Sequence, residues 1–309
     1  MRLPNLIIAG APKAGSSSLF FWLAAHPEVY GSPRKETFYF IDEDSPLLCP
    51  EANYNLHGLE KYESFFPDCP DEAKIVLEAT PHYVYQQTAL DFFANCDPQP
   101  HVVCLLRKPS KRIFSSFSFV QNNLALIDNE LTFDRVTDLL LDETGELIKE
   151  LNYSPDAPIY KWLEVQLSKG RYYEYLIPWV QRFPREKIHI ILFEEMIADP
   201  RKTLIKLAKD IGIDSNFYQD FYFEQRTQTI AIKNRFAHQL LLKLALFFID
   251  NQIFGTSKIR GLLKSIYFKF NTSKPQKAKS TSLERLDDYF KPYNQKLAES
   301  LNLNIDVWN

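Results

Sequence analysis

The stretch Asn5-Leu-Ile-Ile-Ala-Gly10-Ala-Pro-Lys13-Ala-Gly15-Ser16-Ser17-Ser18-Leu19-Phe20-Phe21-Trp22-Leu23 decides how the chain is read. Its opening residues are apolar enough for a short buried strand. Leu19, Phe20, Trp22 and Leu23 then recur at helical spacing. The turn between them holds glycine, proline, lysine and serine. A helix N-terminus presents free backbone N–H groups and the positive end of a dipole. Glycine lets the backbone approach a bound group, Lys13 adds a point charge, and Ser16, Ser17 and Ser18 add hydroxyl donors. Strand, glycine turn and helix together make an anion cradle. The nucleoside-triphosphate loop, G-x-x-x-x-G-K-[ST], does not fit, because Lys13 precedes Gly15 instead of following it. The alternative is an ordinary strand-to-helix turn, and a lysine with three serines at one helix start argues against it.

The remainder of the chain is consistent with one large domain. It has 309 residues, 45% hydrophobic and 24% charged, with a formal net charge of −3. That balance excludes a global basic field for nucleic acid. Cys49, Cys69, Cys96 and Cys104 show no C-x-x-C spacing, so free thiols in a reducing, cytoplasmic setting are expected. The sequence opens on its first strand, with no signal-peptide pattern, and no apolar run reaches spanning length.

Lys74–Glu78, His101–Leu106 and Lys187–Phe193 read as further strands. Tyr39 and Phe40 suit a short extended piece packed on the core. A surface excursion over 42–72 carries one short helix near Gly58–Phe66. Ile159–Gln166 and Tyr172–Phe183 read as amphipathic helices. Leu139, Leu140 and Leu141 read as core, and residues 121–158 as mixed helical patterns that cap a cleft. Asp199 is placed as an N-cap with Pro200 at N1 of a helix to Ile211. Glu194 and Glu195 read as capping and packing groups, not metal ligands. Thr281–Leu301 reads as a closing amphipathic helix with Ser282 or Thr281 as its cap.

After His101–Leu106 comes Arg107-Lys108-Pro109-Ser110-Lys111-Arg112-Ile-Phe-Ser115. Pro109 suits the first turn of a helix. Cations at a helix N-terminus oppose its dipole, and a bound anion would relieve that conflict.

Two motifs now stand in order, each after a strand. Pro12-Lys13-Ala14-Gly15-Ser16-Ser17-Ser18-Leu19 resembles the 5′-phosphosulfate loop of sulfotransferases, P-K-x-G-[ST]-[ST]-x-L. Arg107, Pro109, Arg112 and Ser115 resemble that family's 3′-phosphate motif, R-x-P-x-x-R-x-x-S. The likeness is to bacterial-type members similar to glycosaminoglycan and heparan sulfate sulfotransferase domains. It implies an α/β fold: a three-layer sandwich with a central, mainly parallel sheet, built like P-loop nucleotide kinases. It implies one sulfotransferase domain over 1–309, with a core at 5–211 and a helical part at 224–309 packed on it.

The resemblance also assigns roles. Lys13 and the backbone from Ala14 and Gly15 to Ser18 hold the 5′-phosphosulfate of 3′-phosphoadenosine 5′-phosphosulfate (PAPS), the donor. Arg107 and Ser115 take its 3′-phosphate, and no metal is required. The segment Lys35-Glu36-Thr37-Phe38-Tyr39-Phe40 resembles K-E-x-x-[FY]-F, whose glutamate is the general base, so Glu36 falls on that role. On composition alone Arg34, Lys35 and Glu36 are a solvated turn. Glu78-Ala79-Thr80-Pro81-His82-Tyr83 resembles E-K-[ST]-P-x-Y with Ala79 in the lysine's place, which removes one acceptor contact. His82 is either a second base, a substrate contact or a structural hydrogen-bonder. Gly170-Arg171-Tyr172 resembles a G-x-Y spot of structural kind.

Sulfuryl transfer from PAPS, leaving 3′-phosphoadenosine 5′-phosphate (PAP), to a hydroxyl or amine of a carbohydrate, glycolipid or small molecule is the activity implied. A P-loop kinase using ATP and Mg, or a non-catalytic nucleotide-binding protein, is the alternative. Lys35, His82, Lys274 and Lys277 are further candidate contacts to cofactor or substrate. The apolar and basic stretch at 238–270 reads as a closing loop, a membrane-facing surface or a plain helix pair with lysines in water.

Overall fold

The computed structural model describes residues 3–151, 153–154, 156–224, 231–232, 272–273 and 278–309. Lys274, Lys277 and the apolar, basic stretch at 238–270 lie outside the described residues. Five strands form one sheet: β1 (Leu6–Gly10), β2 (Val29–Gly31), β3 (Ile75–Glu78), β4 (His101–Leu106) and β5 (Ile188–Leu192). Their order is β2-β3-β1-β4-β5 and every pairing is parallel. Parallel strands covered on both faces need continuous apolar runs. β1 and β3 are buried at every position, and β4 at all but its first.

The chain leaves β1 toward β2 and β3 on one side, and later builds β4 and β5 on the other. The sheet therefore reverses its order at β1, and the crevice beyond the carboxyl end of β1 is a topological switch point. The stretch Ala11–Gly15 fills that place.

Two compact units divide the chain. The first contains the sheet and comprises Met1–Arg112, Lys169–Thr227 and Phe290–Asn309. Within it lie α1 (Ser16–Ala24) and α2 (Gln87–Ala94), and, further on, Tyr172–Arg182, Phe193–Ala198 and Pro200–Asp210. Asp199 caps the last of these, its side chain accepting from the N–H of Lys202 at 2.9 Å, with Pro200 at the helix start.

The second unit comprises Ile113–Ser168 and Gln228–Tyr289. It takes most of α3 (Pro109–Ser118), then α4 (Phe133–Leu141) and α5 (Pro158–Glu164). Phe114, Phe117, Phe133 and Trp162 pack ring against ring there, and Leu139 and Leu140 are buried. Following the chain, the three helices of the first unit just named are α6 (Tyr172–Arg182), α7 (Phe193–Ala198) and α8 (Pro200–Asp210), and the closing helix is α9 (Ser280–Leu301).

Three expectations are corrected. Tyr39 and Phe40 are fully buried but do not form an extended piece; Glu36 and Phe38 have left-handed backbones, φ 65° and 55°. The reason is Thr37, whose hydroxyl turns inward to Glu78 at 2.7 Å and folds the segment into a strap. The helix placed near Gly58–Phe66 is a helical turn at Tyr54–His57 followed by a 3-10 turn at Tyr62–Phe65. Ser282 does not cap α9, which starts at Ser280; its hydroxyl lies in the first turn and donates to Asp134.

Glu78 is 0% exposed and accepts hydrogen bonds from Thr37 (2.7 Å), Tyr62 (2.7 Å) and Thr80 (2.8 Å). Burial pushes its pKa up, against the pull of the hydroxyls. Removing the carboxylate takes the acceptor from three buried hydroxyls, of which Thr37 keeps Tyr83 OH at 2.9 Å, whereas removing one hydroxyl leaves two donors in place. Urea denaturation is therefore expected to show Glu78→Ala losing about 2–4 kcal/mol and Tyr62→Phe about 1 kcal/mol. Equal losses would mean that the carboxylate does not anchor this cluster.

Candidate active site

At the end of β1 the Ala11 amide crosses to the Leu105 carbonyl of β4 at 2.7 Å, and the chain then turns back into α1. Gly15 is the N-cap, at φ +91°, with no side chain capping the helix. A Cβ at Gly15 would lie 2.8 Å from both Met196 Cε and Phe193 Cδ2, so shape and backbone both require glycine. Lys13 holds a left-handed backbone, φ 69°, without being glycine. Strained non-glycine positions of this kind persist only where the surroundings fix them. Ala14 and Ser16 are buried, while Ser17 and Ser18 are half-buried. The first-turn N–H groups of α1 have no intrahelical acceptor.

Lys13 is pushed down to about 8, first by burial, then by the Arg107 charge; Glu36 opposes this and Lys35 adds to it. Arg107 ends β4. Its Nη1 donates to the Lys13 carbonyl at 3.2 Å, and its guanidinium lies 4.6 Å over the Phe193 ring. Its Nε is buried with no hydrogen-bond partner among the described residues. Burial holds its pKa below the usual arginine range, although a guanidinium stays charged.

The motif is pinned from behind. Tyr172 OH donates to the Arg107 carbonyl at 2.8 Å. Glu194 accepts from the Lys108 amide at 3.2 Å and from Trp308 Nε1 at 2.9 Å. This agrees with the packing role expected of Glu194. Ser115 lies in the second turn of α3, in the second unit.

Glu36 sits on the strap above β3, its amide donating to the Ala79 carbonyl at 3.0 Å. Lys35 Nζ contacts its carboxylate, so Lys35 acts on Glu36 directly. His82 packs on Phe38, ring centroids 5.8 Å apart, and its Nδ1 is buried without a partner. It is pushed down to about 3, first by burial and then by Lys169, Lys35 and Arg112. A neutral imidazole of this kind is a poor proton acceptor, which favours contact over a second base. The first unit thus brings together Lys13, Gly15 to Ser18, Lys35, Glu36, His82 and Arg107. Sequence reading passed over Phe193 and Lys169; the only signal for Lys169 is its place one residue before Gly170-Arg171-Tyr172.

The donor set suits a phosphosulfate nucleotide. A glycine-lined cradle, a lysine with lowered pKa and an arginine whose buried Nε–H has no hydrogen-bond partner among the described residues fit the oxygens of such a group.

Comparison with known proteins agrees. The family model described as sulfotransferase domain matches residues 3–238. The bifunctional heparan sulfate N-deacetylase/N-sulfotransferase 1 of Caenorhabditis briggsae is 29% identical over 214 residues, 67% of this chain and 22% of that protein. The heparan sulfate glucosamine 3-O-sulfotransferase 3A1 of Mus musculus is 23% identical over 227 residues, 72% of this chain and 50% of that protein. The chain thus aligns with half or less of each of these two relatives. A sulfotransferase crystal structure from Alicyclobacillus acidocaldarius superposes with a TM-score of 0.65 at 20% identity, covering 100% of this chain and 99% of that one, a likeness of fold. With the family model covering most of its length, the chain belongs to the sulfotransferase domain family.

Proposed function

We propose that the protein transfers the sulfuryl group of PAPS to a hydroxyl or amine of a carbohydrate acceptor, and releases PAP. The observation that carries this is the joined pair of anion sites: Lys13 and the α1 N-terminus, with Arg107 hydrogen-bonded across to the Lys13 carbonyl. The carbohydrate class rests on the two heparan sulfate relatives and on Glu36; a glycolipid or small-molecule acceptor is the runner-up. The four unpaired cysteines support a reducing, cytoplasmic compartment. Among the described residues no helix is long and apolar enough to cross a membrane.

The donor supplies an activated sulfuryl group with a good phosphate leaving group. The acceptor oxygen or nitrogen forms a bond to sulfur as the sulfur–oxygen bond to the 5′-phosphate breaks. Lys13 and the N–H groups of Gly15 to Ser18 stabilise the charge that grows on the leaving phosphate. Glu36 accepts the proton from the attacking group, which the strap holds in line with the loop. Arg107 binds the 3′-phosphate through its fork of donors, and Ser115 is assigned to the same phosphate by the family motif alone.

Calorimetric titration tests the donor. Wild-type protein is expected to bind PAP without Mg²⁺ and more tightly than adenosine monophosphate or ATP. Arg107→Ala is expected to lose roughly 1.5–3 kcal/mol of that binding. Better binding of ATP with Mg²⁺, unchanged in Arg107→Ala, would replace this reading with the kinase. PAP binding with no turnover across a broad acceptor screen would favour a non-catalytic binder.

The same titration against pH tests Lys13. Burial and Arg107 lower its pKa to about 8 in the free site, and a bound phosphate favours the charged ammonium. Affinity should therefore be level below about pH 8 and fall above it, by about tenfold per pH unit at most. Lys13→Met should abolish that fall. A wild-type profile flat from pH 7 to 10 would remove Lys13 from the anion site.

A further inference from the structure

Two hooks hold the backbone where β4 passes into Arg107 and Lys108, and both lead to one side chain. Tyr172 OH donates to the Arg107 carbonyl at 2.8 Å, and Glu194 Oε1 accepts from the Lys108 amide at 3.2 Å. The second oxygen of that carboxylate, Oε2, accepts from Trp308 Nε1 at 2.9 Å. The Tyr172 and Trp308 rings lie 6.2 Å apart. Trp308 is 3% exposed and ends a 3-10 turn, Asp306–Trp308. All of these residues belong to the first unit.

Glu194 is an acid placed beside a site for anions. Burial lowers the pKa of Arg107, and the charge that first opposes this is that of Glu194. Phe193, the residue before Glu194, carries the Arg107 guanidinium over its ring, 4.6 Å from the centroid. A carboxylate so near is a natural partner for an arginine fork. Yet among the described residues the two form no ion pair. One oxygen of Glu194 is taken by the Lys108 amide and the other by the Trp308 indole, while the Arg107 Nε–H has no partner there. An indole N–H can only donate, so its place on Oε2 is fixed in sense. Without it, a half-buried carboxylate oxygen loses its donor, and the guanidinium is the donor at hand.

We propose that Trp308 is a positioning residue for recognition of the 3′-phosphate: its indole N–H keeps the Glu194 carboxylate on the Lys108 amide and off the Arg107 guanidinium. The arginine then meets the phosphate of the nucleotide in place of the protein's own acid. This rests on the sulfotransferase reading above and deepens it.

The probes are PAP and adenosine monophosphate, which differ only in the 3′-phosphate. Each is titrated calorimetrically into wild type, Trp308→Phe and the double variant Trp308→Phe, Glu194→Gln. Trp308→Phe keeps an aromatic ring and removes the N–H. It is expected to bind PAP about tenfold more weakly, the scale of one charge-assisted hydrogen bond, and adenosine monophosphate within about twofold of wild type. Adding Glu194→Gln removes the competing charge and should return PAP affinity to within about threefold of wild type. A role in packing alone predicts no such rescue, because the second change takes away a further hydrogen bond. Unchanged PAP affinity in Trp308→Phe overturns the proposal. So does an equal loss for both nucleotides, or binding of neither, since either makes Trp308 a structural residue only. A double variant no better than the single one overturns it as well. A wild type without preference for PAP, or an Arg107→Ala that keeps the preference, is a different result: it sinks the 3′-phosphate reading itself and the proposal with it.

Discussion

A carboxylate sealed from water, Glu78, is the constraint on which the strap bearing Glu36 depends. It ends β3 at the carboxyl edge of the sheet, where an open α/β fold places its ligands. There it collects the hydroxyls of Thr37, Tyr62 and Thr80, drawn from three separate loops. Thr37 is the neighbour of Glu36. One buried acid therefore fixes the height and direction of the strap that carries the other. The strained backbones of Glu36 and Phe38 are tolerable because Thr37 between them is held from below and the Tyr39 amide is held by Tyr83 OH at 3.1 Å.

The strands were legible because burial on both faces forces continuous apolar runs, as in Leu6–Gly10 and His101–Leu106. Caps were legible where one side chain does one local job, as with Asp199. The strap was not. Its aromatic residues carry strand propensity, but a contact 41 residues away, Thr37 to Glu78, decides its shape. β2, three residues at a sheet edge, is too short for any period to appear. Lys13, Glu36 and Arg107 were readable because their motifs are local. Lys169 was hidden, since its neighbours His82 and Arg112 come from distant segments and only the fold assembles them.

The formal net charge of −3 conceals this arrangement. Aspartate and glutamate outnumber lysine and arginine, 39 to 36, yet Lys13 feels the charges of Arg107 and Lys35, and His82 those of Lys169, Lys35 and Arg112. A field made this way is local. It acts on a ligand already inside, where water is scarce, more than on one approaching through salt solution. Such a site suits recognition of a few defined anionic groups better than attraction of a long polyanion over a broad face.

Phe193 explains why the loop at Gly15 and the motif at Arg107, 92 positions apart, are packed as one unit. Its ring forbids a side chain at Gly15 and at the same time supports the Arg107 guanidinium from beneath. Arg107 then donates to the Lys13 carbonyl. Loop, ring and guanidinium close a circle in which no member moves without another. That circle holds two like charges in place although burial lowers the pKa of both and Arg107 lowers that of Lys13 further. The packing of an aromatic ring thus opposes the repulsion between the two cations. For the donor proposed above, the geometry is already made, and the repulsion between the two cations turns into attraction for an anionic nucleotide.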